Sequence, residues 1–383
     1  MEDFPYKLLK KIQQRKEEGA FRSLMPPSSG INFSSNDYLG FAQSEQENTR
    51  VFASGSTGSR LISGNHHLYE EAEATVADFH KAEAALIFNS GYDANLGLLS
   101  SLLQRNDYIF YDASVHASIR DGIALGKAKS YKFDHNNLES LKARVSKVLA
   151  ADRIPEGAEV YIITETVFSM EGDGPDIAAF AAYCQQEGYR LILDEAHAAG
   201  VLGPQGRGAV IEAGCADLVF ARVITFGKAL GCHGAAILGS SMLKDYLINY
   251  SRSLIYTTAL SPYAVYAISR AYERLDGPEG SRALESLRRN IALFTTSLQE
   301  RGLTGYFPGA RAAIHCCEIG GNSRVKALST ALRAKGYDVK PILSPTVDKG
   351  RECLRFSLHA FNTSEEIREV LTILEQSLMM KEE

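Results

Sequence analysis

Nothing in this sequence is built to grip a nucleic acid or to cross a bilayer. The 383 residues carry a formal net charge of −5, and no long run of one sign appears, which argues against a basic face of nucleic-acid size. No stretch approaches the roughly 18 apolar residues that span a membrane. The opening residues, MEDFPYKLLKKIQQRKEEG, have helical periodicity and mixed charge but lack the apolar centre of a signal peptide, so a cytoplasmic location is expected. Six cysteines occur without one C-x-x-C pair, leaving neither a disulfide framework nor a cysteine-based zinc site indicated. Cys316 and Cys317 stand in an apolar stretch and are expected as buried thiols. His66 and His67 are neighbours that would face different ways on a helix or strand, so no metal site is assigned. Repeats and low-complexity segments are also missing.

What is present is ordinary globular composition, 45% hydrophobic and 23% charged, at a length that suggests roughly two or three domains. After the N-terminal helix comes an extended piece, Ile31-Asn32-Phe33. From Leu68 onward a helix-period stretch (Leu68, Ala72, Val76, Phe79) leads to the apolar run 85–88 and then a helix beginning near Tyr92. Further apolar runs follow at 108–111, 160–163, 191–193, 218–220 and 235–238, most of them separated by helical stretches. Short doubly apolar strands alternating with helices predict an α/β fold with a mostly parallel central sheet flanked by helices. Beyond residue 280 the pattern changes. Long helices (262–274, 280–301) precede strand-like segments at 312–317 and 354–358 and a final helix from Ser364. The expected organisation is an N-terminal helix and extended arm (1–45), a large α/β domain (46–280) and a smaller α+β C-terminal domain (281–383).

In an open parallel sheet, ligands sit beyond the carboxyl ends of the strands. Asp194 stands at the exit of the buried run 190–193, with His197 three residues on, and a carboxylate in that place needs a cationic or hydrogen-bonding partner. Asp194-Glu195-Ala196-His197 spells a helicase DEAH box. That reading needs an upstream G-x-x-x-x-G-K-[ST], and Gly227-Lys228 has Arg222 where the first glycine belongs, Ala229 for the hydroxyl residue, and the wrong order. The second reading joins Asp194 to Lys228, which the strand-like Val223-Ile224 delivers to the same sheet edge. A lysine of depressed pKa forms a Schiff base with an aldehyde cofactor, and a carboxylate keeps the ring nitrogen of pyridoxal phosphate protonated. Either residue taken alone is commonplace.

Five segments in order decide between these readings: Ser35 to Gly40 (SNDYLG), Gly55 to Arg60 (GSTGSR), 194–197 (DEAH) with 203–208 (GPQGRG), and 225–229 (TFGKA). Together they resemble the α-oxoamine synthases, fold-type I pyridoxal 5'-phosphate enzymes that join an amino acid to an acyl-CoA with loss of carbon dioxide. The resemblance implies a PLP-dependent C-acyltransferase of the fold-type I transferase architecture. It makes Lys228 the Schiff-base lysine and Asp194 the partner of the ring nitrogen. His197 would bond the cofactor's phenolic oxygen and His116 would stack on the ring, these four being the catalytic set. Gly91 and Tyr92, at a helix start whose free N–H groups favour phosphate, Ser169 and Thr225 would complete the cofactor site. Thr257 and Thr258 would reach a neighbouring subunit's phosphate in a homodimer with shared sites. Arg355 would grip the amino acid's carboxylate, where a bidentate fork suits the task. Arg22, Asn36 and Ser357 would also contact substrate.

Each residue has a bland alternative. His116 could be a satisfied core histidine, His197 a capping one, Ser169 a loop end and Arg355 an ion-pair partner. Gly55 and Gly58 could serve only a tight turn. Cys232-His233 is an uncommon filling behind the lysine. The chain begins without the long extension of organellar relatives, as a bacterial-type soluble enzyme would. The 200–208 stretch most resembles the branch that condenses L-alanine with pimeloyl-CoA in biotin synthesis. Other branches take glycine with acetyl-CoA, as in glycine C-acetyltransferase, or serine with a long-chain acyl-CoA, as in serine palmitoyltransferase. A fold-type I aminotransferase is the rival outside the family. A silent scaffold subunit would be expected to lack Lys228.

Overall fold

The computed structural model describes residues 4–22, 29–43, 52–151, 155–309 and 312–379; the boundary expected at 45 lies outside them. In chain order the strands are β1 (Ile31–Asn32), β2 (Ala84–Phe88), β3 (Tyr108–Asp112), β4 (Lys129–Phe133), β5 (Val160–Glu165) and β6 (Arg190–Asp194). There follow β7 (Ala221–Thr225), β8 (Ala235–Gly239), β9 (Ile314–Glu318), β10 (Tyr337–Asp338), β11 (Lys340–Ile342) and β12 (Cys353–Ser357). The chain groups into two compact units. The larger holds 36–169 and 173–286, the smaller 1–35, 170–172 and 287–383.

The larger unit is built on a seven-stranded sheet of order β2-β8-β7-β6-β5-β3-β4. Neighbours from β7 to β4 are parallel, and β8 runs against both β7 and β2. The reason is the connection. A parallel crossover needs a dozen or more residues, usually a helix, whereas β7 reaches β8 through residues 226–234 with no helix between. The expected mostly parallel sheet therefore carries one hairpin, and Lys228 sits in its loop. Strands β2, β5 and β7 are buried along their whole length, as sheet covered on both faces requires. The main core lies between sheet and helix, where Leu86, Ile163, Ile192, Val223 and Ile237 meet Leu98 and Leu99 of the helix Gly91–Leu102. Each such side chain contributes about 1.5–3 kcal/mol by leaving water.

Two details differ from the sequence expectation. The run 218–220 is no strand: Ala216–Leu218 forms a 3-10 turn, and the strand runs from Ala221 to Thr225. An apolar run does not say where its turn ends, and Arg222, buried inside the strand, breaks the hydrophobic pattern. Strand β4, KSYKF, went unforeseen because only Phe133 of it is buried. It is the sheet's edge, where lysines discourage further pairing. The turn near residue 57 does not rest on glycine φ freedom either. Thr57 takes the positive φ (56°), while a Cβ on Gly58 would meet Ser63 Oγ at 2.3 Å.

In the smaller unit β11, β12 and β9 form an antiparallel sheet, β1 pairs parallel with β10, and helices Asn322–Ala334 and Ser364–Met379 accompany them. Cys316, Cys317 and Cys353 are buried thiols there. The helix Tyr6–Glu17 buries none of its residues. No helix among the described residues is long and apolar enough to cross a membrane.

Candidate active site

Parallel β5, β6 and β7 bring their carboxyl ends to one edge, with Glu165 opposite Asp194 and Asp194 opposite Val223 in register. At that edge lies a cavity of about 190 Å³ lined by Gly91, Tyr92, Asn95, His116, Ser118, Glu165, Ser169, Asp194, Ala196, His197, Thr225 and Lys228. All four residues expected to be catalytic are among them.

The helix Gly91–Leu102 forms one wall. Ser90 caps it by accepting the Asp93 N–H at 3.0 Å. The N–H groups of Gly91 and Tyr92 precede the first intrahelical bonds, as helix starts dictate, and donate to no backbone carbonyl among the described residues. One turn on, about 6 Å along the axis, Asn95 donates from Nδ2 to Asp194 Oδ2 (2.8 Å) and to Ser118 Oγ (3.1 Å). The Ala196 N–H holds the other carboxylate oxygen at 2.9 Å. Asp194 is thus a buried anion with both oxygens fixed.

Ser118 carries the network to His116. Its N–H (3.2 Å) and hydroxyl (2.8 Å) both meet His116 Nδ1, so this nitrogen is an acceptor and the imidazole proton is on Nε2. Burial, outweighing the attraction of Asp194, lowers the His116 pKa and keeps the ring neutral. The His116 N–H is anchored on Glu165 Oε1 at 2.6 Å.

On the opposite side Lys228 Nζ lies 2.7 Å from His197 Nε2. His197 Nδ1 lies 2.7 Å from the hydroxyl of Tyr38, which donates to Asn36 Oδ1 at 3.0 Å. The lysine loop is closed by Gly231 N–H to the Lys228 carbonyl (2.9 Å) and Cys232 N–H to the Phe226 carbonyl (2.9 Å). Thr225 Oγ1 donates to the Gly234 carbonyl at 3.3 Å. Gly231 has φ +62°, and a Cβ there would meet Ala42 N at 2.3 Å, so this turn requires glycine.

Thr257 and Thr258 do not line the cavity. Asn89 Nδ2, beside the helix start, donates to Thr257 Oγ1 (3.2 Å) and to the Thr258 carbonyl (2.7 Å). Arg355, Ser357 and Arg22 belong to the smaller unit. Buried Arg355 donates to Ser357 Oγ at 3.0 Å, and exposed Arg22 to Thr346 Oγ1 at 2.8 Å. Sequence reasoning missed Asn95, Ser118, Glu165 and Tyr38. Glu165 carried the signal that exposed Asp194, a carboxylate at a strand exit. Asn95 carried a helical one, four residues after Gly91 on the same face.

The arrangement suits a flat, phosphorylated aldehyde with a basic ring nitrogen. The open helix start can take a dianionic phosphate, Asp194 an N–H⁺, and the Lys228 amine an aldehyde carbon. Pyridoxal phosphate has those three groups, and the residues present fit it.

The family model of class I and II aminotransferases matches residues 28–374. The 8-amino-7-oxononanoate synthase of Emericella nidulans is 40% identical, with 94% of this chain and 92% of that protein covered. A crystal structure of the Francisella tularensis 8-amino-7-oxononanoate synthase is 28% identical at a TM-score of 0.74, covering 93% of this chain and 99% of the other. A serine palmitoyltransferase variant of S. paucimobilis with bound PLP–myriocin aldimine is 25% identical at a TM-score of 0.86, covering 98% and 97%.

Proposed function

The chain belongs to the class I and II aminotransferase family, among its pyridoxal-phosphate-dependent α-oxoamine synthases, and on that premise we propose that it condenses L-alanine with pimeloyl-CoA. It is a PLP-dependent acyltransferase. The products of the proposed reaction are 8-amino-7-oxononanoate, CoA and carbon dioxide, a step of biotin synthesis. The support for the substrates is the name that curated relatives at 35–40% identity carry. The observation that carries the chemistry is the meeting of Lys228, Asp194, His116 and His197 around one cavity.

Pyridoxal phosphate, when bound, supplies an electron sink for the pair left at the amino acid's α-carbon. Lys228 would hold the coenzyme at its aldehyde carbon. The Lys228 amine would also serve as the base that takes the proton from the amino acid's α-carbon and returns it. Asp194, fixed by Asn95 and the Ala196 N–H, keeps a proton on the ring nitrogen. Neutral His116, which lines the cavity, would pack on the coenzyme and exclude water from it. His197 bonds the phenolic oxygen, and Ser169 and Thr225 complete the pocket. Arg355, beside Ser357, grips the substrate carboxylate, with Arg22 and Asn36 as further substrate contacts. Thr257 and Thr258 serve a second subunit's phosphate in a cytoplasmic homodimer, on a large domain spanning 46–280.

Borohydride reduction and peptide mapping test the covalent link. The coenzyme's mass is expected on Lys228, and recovery on another lysine, or on none, overturns the assignment. Steady-state assays of CoA release with DTNB across paired amino acids and acyl-CoAs test the substrates. The strong structural likeness to serine palmitoyltransferase favours a second reading. Turnover only with serine and palmitoyl-CoA replaces the first proposal by that one, and transamination of a 2-oxo acid without thioester overturns both.

A further inference from the structure

We infer that Tyr38, held by Asn36, is a positioning residue that fixes the tautomer of His197 and so aims the lone pair of His197 Nε2 at the Lys228 amine. Tyr38 is 0% exposed and His197 is buried, so protein groups rather than bulk water set their hydrogen bonds. A phenol has one proton to give. It points to Asn36 Oδ1 at 3.0 Å, so the 2.7 Å contact between the Tyr38 oxygen and His197 Nδ1 takes its proton from the ring. With the proton on Nδ1, Nε2 is bare, and Lys228 Nζ donates to it across 2.7 Å. Direction thus runs one way, from Lys228 through His197 and Tyr38 to Asn36. The amide orientation of Asn36 sets it. Turned to present its NH₂, Asn36 would make the phenol donate to Nδ1 and put a proton on Nε2. Asn36 thereby acts on the lysine through two intermediaries, a role separate from touching substrate.

A bare Nε2 accepts from the ammonium form of Lys228 and favours it, whereas Nε2–H favours the neutral amine. Asp194, Glu165 and His116 also border this cavity and are unchanged in the variants below. The inference deepens the proposed function, but its test uses the full chain freed of coenzyme. Failure of the coenzyme link and failure of the relay are therefore read separately.

Histidine ¹⁵N NMR of the wild type, with the His197 signal identified by its loss in His197→Gln, is expected to show the proton on Nδ1. In Tyr38→Phe and in Asn36→Ala the signal is expected to move toward Nε2–H. In both, Lys228 should acylate with N-hydroxysuccinimide acetate about tenfold faster at neutral pH, relative to Lys349, as one pKa unit lower implies. The double variant should add nothing further. An Nε2–H tautomer in the wild type overturns the inference whether or not the variants fold. So does an unchanged tautomer and Lys228 reactivity in a variant that melts like the wild type.

Discussion

Asn95 is the residue on which two of the catalytic groups depend. Its amide bonds Asp194 on one side and, through Ser118, sets the His116 tautomer on the other. Asn95→Ala leaves a buried carboxylate one donor short, a loss of about 1.5–3 kcal/mol for a bond to a charged group. Its PLP dissociation constant, read by fluorescence titration, should rise by roughly tenfold or more. Asp194→Ala should go further in a different way. It should still bind the coenzyme weakly through the helix start while turnover disappears, because an uncharged ring is a poor electron sink. Near-normal kcat in Asp194→Ala would contradict its role. The contrast between these residues shows what sequence can carry. Asp194 and Lys228 stand at the ends of readable strands, and ordered motifs surround them. Asn95 reaches Ser118 and Asp194, 23 and 99 positions away, and Tyr38 reaches His197 across 159; no local pattern reports such pairings.

At the scale of elements, two loops are held by ionisable side chains, one set half-buried and the other buried. His135 donates from Nδ1 to Asp112 (2.9 Å) and from Nε2 to Asp173 (3.2 Å). Asp173 in turn closes the loop that presents Ser169, through Phe168 N–H to its carbonyl at 2.9 Å. Burial alone would lower the His135 pKa, but the two carboxylates outweigh it and raise it to about 10. A folded-state pKa above the ordinary 6.5 means that the clamp's stabilisation is complete below about pH 6.5. It declines above that and is lost as pH rises through about 10. His135→Gln should therefore cost about 2 kcal/mol at pH 6 by urea unfolding, with the gap to wild type closing above pH 10. A gap that is constant with pH would mean that His135 is held neutral. The second loop, 200–208, folds over Glu195, whose carboxylate is buried against Arg222 and accepts the Val210 N–H at 3.0 Å. Gly208 has φ +101°, and a Cβ on it would meet Glu195 Oε1 at 2.8 Å. Gly208→Ala should lower stability by about 2 kcal/mol, seen as a fall in Tm, and an unchanged Tm would refute this packing. The glycines of this loop were visible in sequence, but their reason was not, because Glu195 reads as half of a motif rather than as the loop's buried anchor.

Across the whole molecule, alternating strands and helices made the α/β class legible, and the final hundred residues announced their change of character through longer helices. Strand order could not be read that way. The antiparallel entry of β8 follows from a connection too short to cross over, and that connection is the lysine loop itself. Assembly is the remaining level. Ile62 is 85% exposed and Leu61 52%, on a turn that Arg60 secures by pairing with Glu73 (2.5 Å) and lying over the Tyr69 ring (4.0 Å to its centroid). Two large aliphatic side chains fixed outward on a braced turn favour burial against another chain, and the homodimer proposed above supplies a second copy. Light scattering should give twice the 41.9 kDa chain mass. Leu61→Glu with Ile62→Glu should shift the protein to monomer, since unpaired buried carboxylates oppose docking. If Thr257 and Thr258 serve the neighbour's phosphate, that monomer should also retain PLP less tightly. A wild-type monomer with full activity would remove both the dimer and the shared site.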